Sequence, residues 1–214
     1  MFDAIAPRYD LVNRVMTFGL DRAWRRATVR ALDLAVGSAV LDLACGTGDL
    51  CRELASSGHR PVGADLSLGM LHHARTAAPL VQADAVYLPF PDGSVDGATS
   101  GFALRNFVDL AAVFAELARV VRPGGRIALL DVAAPTNAVL RTGHAVYFRH
   151  VVPRIGGLLS DRQAYAYLPR SVAYLPTGDG LVDLLGEAGF GALRRRLLSG
   201  GITQLVTGTR RVVP

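Results

Sequence analysis

The chain has 214 residues, of which 50% are hydrophobic and 19% are charged, so it can bury a sizeable core and is too apolar to be disordered. Its longest run without Asp, Glu, Lys or Arg is the 13 residues 197–209, which is shorter than the roughly 20 residues that span a bilayer. The net charge is +5 and every basic residue is Arg, but only Arg194, Arg195 and Arg196 form a tight cluster, so charge alone does not indicate a nucleic-acid partner.

Two features of the sequence bear on where the protein resides. Charged side chains at Asp3, Arg8 and Asp10 interrupt the first ten residues, a pattern unlike that of a secretory leader. Cys45 and Cys51 are separated by five residues, which is not the spacing of a zinc knuckle or a redox pair, and they predict two buried free thiols. Free thiols are typical of a reducing compartment, so we expect a cytoplasmic protein.

Short apolar runs alternate with helical stretches along most of the chain, which is the pattern of a parallel α/β sheet. Residues 1–34 carry no strand signal and predict helices. The next predicted elements, in chain order, are strand 39–44, helix 49–57, strand 60–64, helix 68–77, strand 80–83, strand 95–100, helix 110–121 and strand 126–132. After Pro135 the sequence predicts helices over 137–152, 161–174 and 180–188, and then an antiparallel strand pair over 193–199 and 202–209.

These elements predict one α/β domain with about seven strands, of which the last is antiparallel. We divide it into an N-terminal helical lid (1–34), a cofactor-binding core (35–135), a helical insertion (136–175) and a C-terminal helix with a strand pair (176–214). The sequence shows no internal repeat and no linker that would separate these parts.

The strongest local signal follows the first predicted strand, where Gly46-Thr47-Gly48 leads into a helix. Glycines in this position let the backbone approach a ligand closely, at the sheet edge where α/β folds bind cofactors. Asp65, at the end of the second strand, can accept hydrogen bonds from both hydroxyls of a ribose. These residues predict a ligand that contains a nucleoside, and a purely structural turn is the alternative.

The charge near the turn distinguishes between two such ligands. A dinucleotide site requires a third Gly or Ala, where this chain has Cys51, and Asp42 in the preceding strand would repel a pyrophosphate. The same carboxylate would attract the ammonium and sulfonium groups of S-adenosylmethionine. We therefore predict S-adenosylmethionine as the cofactor and keep NAD as the alternative.

Two later strand ends fit the same ligand. Asp84-Ala85 follows the third strand, where a side-chain oxygen can accept a hydrogen bond from an adenine amino group, and Ser100 ends the fourth strand at the same edge. The residues that follow, 101–106, lack the Asn/Asp-Pro-Pro-Tyr/Phe tetrad by which methyltransferases of exocyclic nitrogens resemble one another. Methylation of a nucleobase amine is therefore disfavoured.

With these residues in place, the sequence resembles the menaquinone/ubiquinone-biosynthesis C-methyltransferase family over essentially its whole length. The segments that carry the resemblance are 1–10, Asn13, Trp24, 41–49, 64–71, 88–90, 101–106, 119–126, 153–156 and 165–168. The glycine turn is generic to class I methyltransferases, whereas the amino-terminal segment, residues 102–106 and the segments after Pro135 are more specific to this family. One departure is Asp131-Val132-Ala133, where the family usually has Glu-x-Ser, and it bears on the acceptor more than on the cofactor.

The resemblance implies the Rossmann-like sheet of class I methyltransferases and methyl transfer from S-adenosylmethionine to a ring carbon of a lipophilic, polyprenylated quinol, most specifically demethylmenaquinol. It places cofactor contacts at Thr47, Asp65, Asp84, Ala85 and Ser100. The complete predicted cofactor-binding set is Asp42, Ala44, Gly46, Thr47, Gly48, Asp65, Met70, Asp84, Ala85 and Ser100. No metal site is predicted.

Four residues are candidates for the chemistry on the acceptor. A quinol carbon becomes nucleophilic when its neighbouring hydroxyl loses a proton, and we expect Arg105 to stabilise the resulting oxyanion and Asn106 to orient the ring oxygen. His150, whose imidazole titrates in the useful range, and Asp131, at the end of the fifth strand, are the candidate general bases. Pairing of Arg105 with a surface carboxylate, packing of His150 and deprotonation through water are the alternatives.

The polyprenyl tail requires an apolar surface. Residues 15–20 and 151–159 are apolar segments flanked by arginines, which indicate either a peripheral contact with the inner face of the membrane or ordinary helix packing. No nucleic acid is expected as a partner, and the sequence leaves a homo-oligomer open. The alternative functions are methylation of a soluble aromatic or polyketide-like metabolite and cofactor binding without catalysis.

Overall fold

The structure is a computed structural model that describes residues 6, 9–133, 135, 137, 142–143, 146–147, 175–176 and 178–212. The predicted helix over 161–174 and most of the predicted helix over 137–152 lie outside these residues, and so does the apolar segment 151–159. Within the described part of the chain, no helix is both long enough and apolar enough to cross a membrane.

Helices and strands follow one another in the predicted order. The helices are α1 (Tyr9–Met16), α2 (Leu20–Leu32), α3 (Asp49–Ser56), α4 (Leu68–His72), α5 (Leu110–Val120) and α6 (Gly178–Glu187). The strands are β1 (Ala39–Leu43), β2 (Arg60–Asp65), β3 (Leu80–Gln82), β4 (Val95–Gly101), β5 (Val121–Val132), β6 (Phe190–Leu198) and β7 (Thr203–Arg210). Short 3-10 turns span Leu104–Asn106 and Ser199–Gly201.

The strands form one seven-stranded sheet in the order β3-β2-β1-β4-β5-β7-β6. Strands β1 to β5 pair with one another in parallel, whereas β7 runs antiparallel to both β5 and β6. The predicted architecture, about seven strands with the last one antiparallel, is confirmed. Because the first five strands are parallel, the segments that follow them emerge at one edge of the sheet, which we call the carboxyl edge.

Both faces of the central strands are buried, which explains why their sequences are apolar runs rather than alternating patterns. On one face, Ile127 and Leu129 of β5 belong to a hydrophobic cluster with Phe114 of α5. On the other face, Leu130 of β5 belongs to a second cluster with Trp24 of α2. Helices thus cover the two faces, and the carboxyl edge is where polar groups from several strands can meet.

The predicted helix over 68–77 is wrong in length, because α4 ends at His72. Beyond α4, the Arg75 N–H donates a hydrogen bond to the Thr47 carbonyl at 3.0 Å, and Arg52 Nη1 donates to the Arg75 carbonyl at 2.9 Å. These bonds with the glycine turn and with α3 replace the bonds that a longer helix would have made.

Strand β5 is longer than predicted, since it begins at Val121 directly after α5 rather than at Arg126. Val121 pairs with Val95 and Arg126 pairs with Gly97, so β5 has three more residues than β4 between these pairs, an irregularity larger than a one-residue bulge. The Pro-Gly-Gly segment predicted a break between two elements, whereas in the fold it is accommodated as an irregularity within one strand.

Gly63 of β2 packs against the two cysteines, and this contact generates a prediction. A Cβ at Gly63 would lie 2.6 Å from Leu80 Cδ2, 2.8 Å from Cys45 Sγ and 3.1 Å from Cys51 Sγ. Gly63→Ala should therefore lower the free energy of unfolding by about 1–3 kcal/mol, the usual cost of overpacking a core, as measured by urea unfolding. Gly186→Ala in α6, where the nearest neighbours of the added methyl lie 3.9 Å or more away, is the control and should be neutral or slightly stabilising. Equal unfolding midpoints for the two variants would contradict this account.

Candidate active site

A cavity of about 310 Å³ opens at the carboxyl edge, where β1 lies between β2 and β4. The chain proceeds from β1 to β2 and β3 on one side and then crosses to β4 and β5 on the other, so the strand order reverses here, which is the usual ligand position in an open α/β sheet. The volume of the cavity falls at the low end of the range for small-molecule sites, roughly 300–1,000 Å³. Six of the ten predicted cofactor-binding residues line it: Ala44, Gly46, Asp65, Met70, Asp84 and Ala85.

Asp65 connects the two loops that form one side of the cavity. Its Oδ2 accepts a hydrogen bond from the Gly46 N–H at 2.7 Å, and its Oδ1 accepts one from the Ser67 N–H at 2.8 Å. An ionised carboxylate has about four lone-pair sites, so it can accept hydrogen bonds from a vicinal diol as well as from backbone N–H groups. Because Asp65 also lines the cavity, it can shape the turn and bind a ribose at the same time.

After β3 the chain turns and contributes another wall of the cavity. Asp84 Oδ1 accepts a hydrogen bond from the Val86 N–H at 3.1 Å, and the Tyr87 N–H donates to the Asp84 carbonyl at 3.0 Å. The exposed Asp84 and the buried Ala85 line the cavity, as does the buried Met70. A carboxylate together with two apolar side chains suits a heterocycle that carries an amino group, as the adenine prediction requires.

Asp42 lies beneath the turn and is not among the residues that line the cavity. Its side chain is buried, Thr99 Oγ1 donates to its Oδ1 at 3.0 Å, and Cys51 Sγ donates to its Oδ2 at 3.4 Å. Burial raises the pKa of Asp42 to about 7, although the hydrogen bonds from Thr99 and Cys51 and the charge of Arg25 lower it. Thr99 lies opposite Asp42 in the pairing of β1 with β4, a contact that sequence reasoning missed because only the folded sheet creates it.

Three further predicted residues shape the turn and the strand end. Thr47 is buried, and its carbonyl accepts the Arg75 N–H. Gly48 has a φ of 82°, and a Cβ on it would lie 2.7 Å from Thr76 Cγ2, so a side chain is excluded at the start of α3. Ser100 is fully buried, and its Oγ has no hydrogen-bond partner among the described residues. Direct contact of all ten predicted residues with the cofactor stays a prediction.

Two predicted acceptor residues, Arg105 and Asp131, form a buried ion pair. Arg105 Nη1 lies 2.6 Å from Asp131 Oδ1, and the two side chains are 8% and 0% exposed. Asp131 Oδ2 also accepts the Arg105 N–H at 3.2 Å, and Oδ1 accepts the Val132 N–H at 2.7 Å. The alternative prediction was that Arg105 pairs with a surface carboxylate. The structure shows such a pairing, but the partner, Asp131, is buried. A carboxylate with three such bonds is better suited to anchoring Arg105 than to removing a proton from a substrate.

Of the other two acceptor candidates, Asn106 and His150, only Asn106 is among the described residues. Asn106 follows Arg105 in the 3-10 turn after β4 and lines the cavity, as do Phe102 and Phe107. Sequence reasoning missed the two phenylalanines as lining residues. The position of Phe102 directly after β4 was a signal, whereas Phe107 follows the 3-10 turn. His150 lies outside the described residues, and its role as a base stays a prediction.

The hydrogen bonds around Asp131 continue across the sheet through Gln204 and Arg195, neither of which was predicted as a site residue. Gln204 lies opposite Asp131 in the pairing of β5 with β7 and is buried. Its Nε2 donates to the Val132 carbonyl at 3.1 Å, and its Oε1 accepts a hydrogen bond from Arg195 Nε at 2.6 Å. The end of β5, and with it the Arg105 anchor, is thus fixed from both sides.

The strand order, the antiparallel β7 and a carboxylate, Asp65, that lines the cavity at the strand-order reversal are the features of a class I S-adenosylmethionine-dependent methyltransferase. Solved structures share this fold. One is a putative methyltransferase in a complex with the Haloferax volcanii Trm112 methyltransferase activator, with a TM-score of 0.71 and 20% identity over 99% of this chain and 98% of that chain. Another is Haemonchus contortus phosphoethanolamine N-methyltransferase 2 in complex with S-adenosyl-L-methionine, with a TM-score of 0.64 and 16% identity over 88% of this chain and 52% of that chain. At these identities the likeness establishes the fold alone.

Sequence comparison identifies the family within this class. Residues 1–210 match the model of the ubiE/COQ5 methyltransferase family. Similar proteins include the ubiquinone/menaquinone biosynthesis C-methyltransferase UbiE of Syntrophotalea carbinolica, 43% identical with 98% of this chain and 92% of that protein covered. The demethylmenaquinone methyltransferase of Thermus thermophilus is also 43% identical, with 98% of this chain and all of that protein covered. The chain belongs to the ubiE/COQ5 methyltransferase family, and the predicted enzyme class, an S-adenosylmethionine-dependent methyltransferase, is confirmed.

The raised pKa of Asp42 should make the stability of the fold depend on pH. The pKa rises from 3.8 to about 7 on folding, so the stabilisation from the bound proton is fully present below about pH 3.8 and is lost as the pH rises through 7. Asp42→Asn removes this dependence. The difference in free energy of unfolding, Asp42→Asn minus wild type, should therefore increase by about 1–3 kcal/mol between pH 5 and pH 8.5. Urea unfolding over this range measures the difference. Asp92→Asn, which changes a carboxylate that is 82% exposed, is the matched control and should follow the wild type. A difference between Asp42→Asn and the wild type that stays constant with pH would contradict the assignment.

Proposed function

We propose that the protein methylates a ring carbon of a polyprenylated quinol and converts demethylmenaquinol to menaquinol in menaquinone biosynthesis. The names of its relatives support this acceptor, including the demethylmenaquinone methyltransferase of Corynebacterium kroppenstedtii, which is 42% identical with 98% of this chain covered. The observation that carries the proposal is a single cavity that combines Asp65 and Asp84, on the predicted donor side, with Asn106, on the predicted acceptor side.

The residues on the donor side fit S-adenosylmethionine, which supplies an electrophilic methyl group on a positively charged sulfonium when it is bound. Asp65 would hold the ribose hydroxyls, and Asp84, Ala85 and Met70 would hold the adenine. Asp42 acts from beneath the turn, and its pKa of about 7 means that both of its protonation states are populated near neutral pH. A cation bound nearby favours the deprotonated, negatively charged state.

The acceptor side must make a ring carbon nucleophilic. Loss of a proton from the neighbouring hydroxyl gives a phenolate, whose negative charge extends to that carbon. After methyl transfer the carbon loses its hydrogen as a proton and the ring oxygen regains one, so each methyl transfer releases one proton overall. Asn106 lines the cavity, and a side-chain amide can donate a hydrogen bond to the ring oxygen. Asp131 offsets part of the charge of Arg105, so we assign the main polar contact with the ring oxygen to Asn106.

Asp131 should act as a positioning residue rather than as the base. Asp131→Asn keeps the size of the side chain but removes the charge that anchors Arg105, so kcat should fall about 10–100-fold through misplacement of the 3-10 turn. The acid limb of the pH–rate profile should keep its wild-type midpoint, and donor affinity should change less than about threefold. Asp179→Asn, at an exposed position in α6, is the control. Loss of the acid limb in Asp131→Asn would instead identify Asp131 as the general base.

Incubation with labelled S-adenosylmethionine and a short-chain demethylmenaquinol tests the proposed function. The wild type should form labelled menaquinol, and Asp65→Ala should bind S-adenosylhomocysteine at least about tenfold more weakly in calorimetry, because it loses charge-assisted hydrogen bonds. Asp92→Ala should bind as the wild type does. Methylation of a soluble aromatic compound but of no quinol would favour the other acceptor class, and tight donor binding without any methylation would favour a non-catalytic role.

The proposal includes a position in the cytoplasm, in peripheral contact with the inner face of the membrane, because the apolar tail of the acceptor is insoluble in water. In support, Leu11 and Val15, one turn apart in α1, and Phe18, in the turn between α1 and α2, are all exposed. Flotation with liposomes that contain anionic lipid, at moderate salt, measures this contact.

A further inference from the structure

Two neighbouring residues of α2, Trp24 and Arg25, contact both sides of the cavity from outside it. Trp24 packs against Phe102, which lines the cavity after β4, with ring centroids 6.0 Å apart. Arg25 Nη2 lies 2.8 Å from Oδ2 of Asp49, the first residue of α3, which directly follows the glycine turn. Neither Arg25 nor Asp49 is among the described residues that line the cavity. A single turn of α2 thus reaches the donor-side turn and the acceptor-side wall.

Arg25 lies between two carboxylates that belong to different parts of the fold. Its Nη1 pairs with Asp21 in the first turn of α2, and Asp21 Oδ1 accepts a hydrogen bond from Thr17 Oγ1 at 3.0 Å. The side chains of Asp21, Arg25 and Asp49 are only 6%, 12% and 19% exposed, and we call these three residues the Arg25 bridge. Ion pairs shielded in this way are costly to break, because removal of one partner leaves a poorly solvated charge.

The same two helices share a second ion pair, which provides a comparison. Arg26 Nε lies 3.7 Å from Glu53 Oε1, one turn further along α3, and the two side chains are 58% and 27% exposed. A pair of this length and exposure contributes little, since water screens it. Of these two ion pairs, the one with Arg25 therefore contributes more to holding α2 against the start of α3.

From Asp49 the contacts continue to the glycine turn. Asp49 also pairs with Arg52, whose Nη1 donates a hydrogen bond to the Thr47 carbonyl at 3.2 Å. Thr47 is the middle residue of the turn, and the preceding Gly46 donates its N–H to Asp65. The turn is therefore held by Asp65 on the side of the cavity and by Asp49 and Arg52 on the outer side.

We propose that Arg25 is a positioning residue for the donor: through Asp49 it holds the glycine turn in the geometry that binds the donor. Docking of α2 and donor binding then favour each other, and because such coupling is reciprocal, the donor also stabilises the docked position of α2. The proposal rests on the proposed function only in that the donor binds in this cavity, and it does not depend on which acceptor is methylated.

Three substitutions separate this role from a purely structural one. Arg25→Met breaks the Arg25 bridge, whereas Arg26→Met breaks the exposed pair between the same two helices. Arg126→Met removes a contact at the other end of α2, where Arg126 Nε donates to the Leu32 carbonyl at 3.1 Å. Calorimetry with S-adenosylhomocysteine measures the affinity of the donor site, and urea unfolding measures the stability of each variant.

Arg25→Met should bind S-adenosylhomocysteine at least about fivefold more weakly than the wild type, which is the lower end of the usual coupling between linked sites. Arg26→Met and Arg126→Met should bind within about twofold of the wild type, even where Arg126→Met unfolds at a lower urea concentration. Asp49→Asn should weaken binding as Arg25→Met does. The double variant should bind no more weakly than Asp49→Asn alone, because both substitutions break the same link.

Hydrogen exchange in the wild type tests the reciprocal effect without any substitution, and it decides the case even if Arg25→Met does not fold. Saturating S-adenosylhomocysteine should slow amide exchange in α2 by at least about fivefold relative to α6, which packs against α5 and β6. In Arg25→Met this difference between the two helices should disappear.

Equal affinity of Arg25→Met and the wild type for S-adenosylhomocysteine, or an equal loss in all three arginine variants, would overturn the proposal. Exchange in α2 that does not respond to the ligand would do so as well. Opposite effects of Arg25→Met and Asp49→Asn would indicate that charge acts directly on the ligand, which also contradicts a positioning role. A wild type that binds the ligand with the expected dependence on Arg25 but methylates no quinol would instead refute the proposed acceptor and support the role of Arg25.

Discussion

The hydrogen bonds from two backbone N–H groups to the carboxylate of Asp65 are the interaction on which the candidate site depends. One comes from Gly46 in the turn after β1 and the other from Ser67 in the loop after β2. A single side chain therefore fixes two loops that belong to different strands, and it does so at the point where the strand order reverses. Because the same carboxylate faces the cavity, the geometry of the site is set before a ligand arrives, which reduces the ordering that binding requires.

Three aspartates at or near strand ends show how the fold gives one residue type three roles. Asp65 lines the cavity and holds its loops. Asp42 is buried under the turn, where Thr99 and Cys51 satisfy it and burial raises its pKa. Asp131 is also buried but carries the full ion pair with Arg105. Desolvation disfavours a charge unless a partner compensates for it, so partner and depth, rather than residue type, decide which carboxylate can meet a ligand.

Much of the described fold and part of the site could be predicted from the sequence, for identifiable reasons. Buried parallel strands are apolar runs, so their positions follow from composition, and parallel strands bring their carboxyl ends together, so most lining residues follow from the strand ends. Contacts across the sheet could not be predicted in this way. Thr99 and Asp42 are 57 residues apart, and Arg105 and Asp131 are 26 apart, so each contact depends on strand order and on the shape of a turn. The early end of α4 and the irregularity in β5 have the same origin, because tertiary pairing overrides the local signal.

The packing of Cys45 and Cys51 against Gly63 has a consequence for how the molecule could be followed in solution. Both thiols are free and buried. The hydrogen bond with Cys45 and burial raise the pKa of Cys51, so an alkylating reagent does not find a reactive thiolate at Cys51 in the native state. Reaction requires β2 and α3 to separate, which would also open the floor under the glycine turn. The native chain thus contains its own chemical reporter of local opening, and its labelling rate gives the frequency with which this part of the sheet comes apart.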